Sequence, residues 1–147
     1  MGIYSDKAVE NFKSGYNCAQ SVFLAFAEEF GFDNETALKL SSSFGGGMGR
    51  LREVCGAVSS MFAIAGLKYG YTSNNDDDIK AKHYELIQNL AEKFKSENGS
   101  IICRELLGVD GAESPIPSKR TEEYYKERPC EYFVKYASEI IEKELLK

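Results

Sequence analysis

A chain of 147 residues, 43% of them apolar, is long enough for one domain, 1–147, with a hydrophobic core of its own. With 23 acidic against 18 basic side chains, a net charge of -5 and no clustered basic stretch, it lacks the electrostatic footprint of a nucleic-acid binder or of a protein drawn to an anionic membrane surface. No apolar run is long enough to span a bilayer, so membrane insertion is not expected. The start, Met1-Gly2-Ile3-Tyr4-Ser5-Asp6, turns amphipathic without the basic and then apolar segments of a signal peptide, and Asp6 stands where a myristoylation signal has Ser or Thr. These features lead us to expect a cytoplasmic protein, in a compartment that keeps thiols reduced.

The periodicity is helical nearly throughout. Ser5 to Ser14 reads as a short helix closed by Gly15. Cys18 to Phe30 reads as a second helix, with Ala19, Val22, Phe23, Phe26 and Phe30 on one face and Gly31 after its end. A third begins near Asp33 or Asn34 and runs through Leu38 and Leu40 to the serines before Phe44. Gly45-Gly46-Gly47-Met48-Gly49-Arg50 is too glycine-dense to continue a helix and reads as a loop. From Val54 to Leu67 the residues are small or apolar on every side, which predicts a central helix enclosed by others.

Thr72 to Asp78 is a polar connection, and Asp76, Asp77 and Asp78 suit the positive first turn of the helix that follows. They lack the alternating spacing of a calcium loop. In that helix Ile79, His83, Leu86, Ile87, Leu90 and Phe94 form a stripe ending near Asn98-Gly99. His83, the one histidine, reads as a satisfied core or boundary imidazole rather than a catalytic group. Cys103 to Leu107 makes a short helix stopped by Gly108, and Gly111 to Ser118, with Pro115 and Pro117, reads as a flexible segment. Tyr124 and Tyr125 read as packing from a surface turn. The last helix runs from Pro129 to the C-terminus, turning Phe133, Val134, Ala137, Ile140 and Ile141 inward. The expected fold is all-α: a compact bundle of about five to seven helices around the central apolar one.

The four cysteines, Cys18, Cys55, Cys103 and Cys130, stand far apart, yet each falls at the opening of an expected helix. There the unpaired N–H groups and the helix dipole stabilise a thiolate. Asn17 with Gln20 forms a capping box ahead of Cys18, Ser100 is the expected cap before Cys103, and Pro129 suits the first helical position beside Cys130. Cys55 is the candidate nucleophile, because the glycine loop gives access and Arg50 and Arg52 offer positive charge; Cys18, Cys103 or Cys130 would resolve it. No two cysteines are two to four residues apart, so the chain lacks zinc knuckles and a thioredoxin-like C-x-x-C. A zinc or iron–sulfur site would need Cys18, Cys55, Cys103 and Cys130 as ligands from four helices. Inert core cysteines are the plainest alternative. Consecutive N–H groups at Gly45, Gly46, Gly47 and Gly49, with Arg50, offer a cradle for a small anion, although the loop is neither a P-loop nor a dinucleotide fingerprint.

Tyr16-Asn17-Cys18-Ala19-Gln20, the Phe44-to-Gly49 loop, Cys55-Gly56-Ala57, Cys103-Arg104-Glu105-Leu106-Leu107-Gly108 and the late Cys130 together resemble the C_GCAxxG_C_C family of redox-active four-cysteine proteins. The chain departs from the family's CGAxxG element at Ser60, where the last glycine is expected. The resemblance implies thiol/disulfide or electron-transfer chemistry at the cysteines. Some relatives resemble split-Soret cytochromes, but this chain has no C-x-x-C-H site and no covalent haem is expected. Related proteins also look transport-associated, so a helical adaptor with inert cysteines is a further reading. A redox or transport-associated protein partner and a homodimer paired through an apolar face are both compatible with the sequence.

Overall fold

The computed structural model describes residues 2–146, apart from the side chain of Glu127; Met1 and Lys147, the ends of the sequence reading, lie outside it. The chain order is α1 (Ile3–Lys13), α2 (Cys18–Ala27) with a 3-10 turn (Glu28–Phe30), α3 (Asn34–Ser42), α4 (Gly45–Met48), α5 (Gly56–Tyr69), α6 (Asp77–Asn98), α7 (Cys103–Leu107), α8 (Glu122–Glu127) and α9 (Cys130–Glu144). The bundle is built from α1, α2, α3, α5, α6 and α9, within the expected number, while α4, α7 and α8 are single short turns. Among the described residues there is no strand; one antiparallel bridge joins Val54 to Ile102. Among the described residues no helix is long and apolar enough to cross a membrane.

Local sequence explains where the helices start. Asn17 Oδ1 accepts from Gln20 N–H at 2.8 Å and Gln20 Oε1 accepts from Asn17 N–H at 3.2 Å, the reciprocal pair expected before Cys18. Asp33 and Asp76 cap α3 and α6 through Thr36 and Ile79 N–H. The Cys103 helix differs from expectation. Its N-cap is Ile102, and Ser100 instead accepts from Ile102 N–H at 2.9 Å and donates to Glu105, bracing the approach to the helix. The α1 start is capped from a distance, by Glu142 of α9, whose carboxylate accepts from Tyr4 and Ser5 N–H.

The core joins Phe12 of α1, Phe23 and Phe26 of α2, Met61 and Ile64 of α5, Leu90 and Phe94 of α6 and Val134 and Ile141 of α9. Each such side chain contributes about 1.5–3 kcal/mol by leaving water. The first turns of α5 are enclosed as expected, with Gly56, Ala57, Val58, Ser60 and Met61 buried; its end emerges, leaving Leu67 and Tyr69 exposed. Helix α2 is the more enclosed of the two. It packs on α1, α3, α5 and α9, and Ser21, Ala25 and Ala27 are buried as well as Ala19, Val22, Phe23 and Phe26 of the face read from its sequence, while Phe30 falls in the 3-10 turn and is half-buried. His83 sits at the boundary, edge-on to Tyr71, but its Nδ1 is buried with no hydrogen-bond partner, so the imidazole is not satisfied as expected. Asn17→Ala should cost about 1 kcal/mol by removing the α2 cap, read as a lowered denaturation midpoint.

Candidate functional site

The four cysteines, spread over 112 positions of sequence from Cys18 to Cys130, line one cavity of about 440 Å³. Three local devices bring them there. First, the chain around the Val54–Ile102 bridge pairs antiparallel: Cys55 N–H donates to Ile101 O at 2.8 Å, and Cys103 N–H donates to Glu53 O. This places the starts of α5 and α7 side by side. Second, α2 lies against α5 closely enough that a Cβ on Gly56 would stand 2.7 Å from Cys18 Sγ; the glycine makes room for the sulfur. Third, α9 starts at Cys130 and packs on both α2 and α5. Ser60, the residue that departs from the family pattern, keeps the close approach, because its buried hydroxyl donates to Ala19 O at 2.6 Å across the α2–α5 contact.

All four thiols are free. Cys18 and Cys55 shift each other's acidity in opposite directions. Cys18 is lowered to about 6, first by the Cys55 thiol donating to its sulfur and then by the N–H groups of Gly46, Gly56 and Ala19, against the cost of burial. Cys55 is pushed well up by that same bond to Cys18, by burial and by the neighbouring negative charge. The pair therefore loses one proton early and holds the other. Burial raises Cys103, opposed by the Arg52 guanidinium, whose Nη1 donates to the sulfur at 3.4 Å. Burial, reinforced by the Cys18 and Cys103 charges, lifts Cys130 to about 12.

The sequence reading gave the nucleophile's role to Cys55 and its electrostatic support to Arg50 and Arg52. In the structure Cys55 is only 4% exposed and Cys18, half-buried, holds the acidic position. Arg52 serves Cys103, and both arginines converge on Glu113, at 3.8 Å from Arg50 and 2.5 Å from Arg52. Those contacts also tie down the Pro-rich stretch that read as flexible: Arg50 Nε donates to Ser114 O at 2.7 Å and Glu113 N–H donates to Arg50 O at 3.0 Å. Arg50 and Arg52 both have left-handed backbones, φ 68° and 61°, a cost that non-glycine residues bear only where surrounding contacts hold them. Glu113→Ala should remove the partner of the buried Arg52 guanidinium. A loss of about 1–3 kcal/mol and faster hydrogen exchange across residues 111–118 are expected, and unchanged exchange would refute the tether.

In the glycine loop, Gly45, Gly46, Gly49 and Arg50 line the cavity, while Gly47 packs against Cys103 and the backbone of Arg52 and Glu53. Gly46 and Gly47 are left-handed, so the loop curls back on itself, and its N–H groups are largely engaged: Met48 on Phe44 O, Gly49 on Gly45 O, Gly46 on the Cys18 sulfur. Although the four thiols share a cavity, among the described residues no three Cys, His, Asp or Glu side chains stand close enough to hold a metal ion.

Sequence reasoning missed Glu113, Arg120 and Arg128 as parts of the site. The available signal was a pair of arginines flanking Tyr124-Tyr125 in an acidic chain. Tyr124 and Tyr125 both pack on the body as expected, Tyr125 edge-on to Phe12, and Tyr124 also lines the cavity.

No curated protein and no solved structure matches the chain. A family model described as "Putative redox-active protein (C_GCAxxG_C_C)" matches residues 16–144, a span that begins just before Cys18 and ends at the close of α9. It takes in all four cysteines, the glycine loop and both arginine pairs, and the chain belongs to that family.

Proposed function

We propose that the protein is a thiol–disulfide redox protein whose working couple is Cys18 and Cys55, with Cys18 as the attacking thiolate and Cys55 as the resolving thiol. What supports this reading is that both sulfurs line one cavity where α2 and α5 pack so closely that a Cβ on Gly56 would stand 2.7 Å from Cys18 Sγ, with Cys18 made acidic and Cys55 holding its proton. A thiolate attacks, and a thiol holding its proton can give that proton to the departing sulfur. With a disulfide substrate, Cys18 Sγ bonds to one substrate sulfur, the substrate S–S bond breaks, and the leaving thiolate takes the Cys55 proton. Cys55 then attacks Cys18 Sγ, releasing the second substrate sulfur as a thiolate, which takes its proton from water. Two electrons pass to the substrate and the protein is left with a Cys18–Cys55 bond. Cys103 and Cys130, held protonated by burial, stand by the couple without competing for the first attack.

Intact mass spectra of anaerobically purified protein, native and denatured, test the reading. Exposure to a small disulfide should leave the denatured mass short of hydrogens until a reductant restores them. Extra native mass lost on denaturation would instead assign the cysteines to zinc or an iron–sulfur cluster. A mass unchanged by either treatment would favour inert cysteines in an adaptor.

A further inference from the structure

The cavity holds more than thiols. Arg50, Arg52, Arg120 and Arg128 line it and, among the described residues, no Asp or Glu does, in a chain whose net charge is -5. Among the described residues Glu113 is paired with the first two, and no carboxylate pairs with the others. Arg120 is nonetheless fixed. It donates to Phe12 O at 3.0 Å and Tyr16 O at 2.8 Å, and its guanidinium lies 4.4 Å from the centre of the Phe12 ring. Arg128 stands 5.4 Å from the Tyr124 ring centre. Glu113 acts on Arg128 only from a distance, and a guanidinium with no carboxylate in contact keeps donors free for carboxylate or phosphate oxygens.

Size and wall chemistry narrow the ligand. A volume of about 440 Å³ is far more than an inorganic ion fills and lies in the range of small organic ligands. Phe133, Leu106 and Pro117 add apolar wall to the same cavity. An anionic substrate approaching a Cys18 thiolate is repelled in water; the arginines offset that repulsion and raise the local concentration of anions.

We propose that the cavity takes a small organic disulfide bearing carboxylate groups, its anionic ends on Arg120 and Arg128 and its S–S bond on the Cys18/Cys55 couple. This substrate class rests on the thiol–disulfide reading. The overall step converts one substrate disulfide and the protein dithiol into two substrate thiols and the Cys18–Cys55 disulfide, so atoms and electrons balance.

The test compares oxidation of the reduced protein by dithiodiglycolate, hydroxyethyl disulfide and cystamine, which are anionic, neutral and cationic. Each rate, read by intact mass, is divided by that of the same disulfide with free mercaptoethanol. The dianion should lead by about tenfold or more, and the lead should shrink as salt is added. Arg128→Gln should cut the dianion-to-neutral ratio severalfold, with Arg128→Lys keeping part of it. Thiodiglycolate, a dicarboxylate thioether that cannot exchange, should raise the melting temperature and slow the dithiodiglycolate reaction. Equal normalised rates, or a lead for cystamine, overturn the anionic substrate while leaving the redox couple standing. Failure of all three disulfides to oxidise the protein, with thiodiglycolate still raising the melting temperature, overturns the proposal through the couple itself and leaves only an anion-binding cavity.

Discussion

At about pH 6 the Cys18→Ser protein should alkylate at least about tenfold more slowly than its parent. Near that pH about half of the parent's Cys18 is ionised, whereas an ordinary thiol, with a pKa of about 8.5, is ionised to well under about one per cent. The other three thiols are pushed up and supply still less thiolate. The lower intrinsic nucleophilicity of an acidic thiolate recovers part of the difference, which is why the expected ratio is nearer tenfold than a hundredfold. Because ionisation sets the rate, the parent's rate should climb with pH through about 6 and then level off, while the variant's should still be rising in the alkaline range. Cys55→Ala should shift the parent's midpoint upward, since it removes the S–H donor that contributes most to the Cys18 acidity. Rapid labelling that survives Cys18→Ser and vanishes in Cys55→Ser would return the nucleophile's role to Cys55.

Gly47→Ala should destabilise the protein by about 2–5 kcal/mol. At φ +67° an alanine carries a left-handed cost of about 1–2 kcal/mol. Its Cβ would also stand 2.6 Å from Cys103 Cβ, 2.8 Å from Glu53 N and 2.9 Å from Arg52 Cα, where two of the three obstacles are backbone and relief requires the loop to move. Overpacking of that kind adds about 1–3 kcal/mol. Gly49→Ala is the control. Its φ of +61° carries the same backbone cost, but its nearest obstacle, Ser43 O, is at 3.9 Å. Denaturant midpoints for the two variants therefore separate strain from crowding; equal losses would mean that Gly47 is a turn residue and nothing more.

Much of the fold is legible in short-range chemistry. Asn17 and Gln20, Asp33, and Asp76 announce helix starts because capping is a contact between residues three apart, and the spacing of Phe133, Val134, Ala137 and Ile141 announces the buried face of α9 because helical geometry repeats. The site is less legible for the complementary reason. Cys55 meets Cys103 through one bridge, Val54 to Ile102, too short to leave an alternating pattern. Glu113 draws Arg50 and Arg52 across more than sixty positions of sequence, so the same Pro-rich residues that read as loose are in fact tethered. The positive charge near a glycine loop was visible, but which thiol receives it depends on side-chain direction, and Arg52 points to Cys103. The division of acidity between Cys18 and Cys55 has no local signature, since both sit at helix starts. It arises first from the Cys55 S–H directed at Cys18, and then from the N–H groups of Gly46, Gly56 and Ala19.

The most direct measurement is a disulfide map of the reduced protein after oxidation with a limiting amount of a small disulfide, quenched by acid and read by peptide mass spectrometry. The first intramolecular bond should join Cys18 to Cys55 while Cys103 and Cys130 remain free. A first bond between Cys103 and Cys130, or a mixed disulfide on Cys55 with Cys18 untouched, would contradict it.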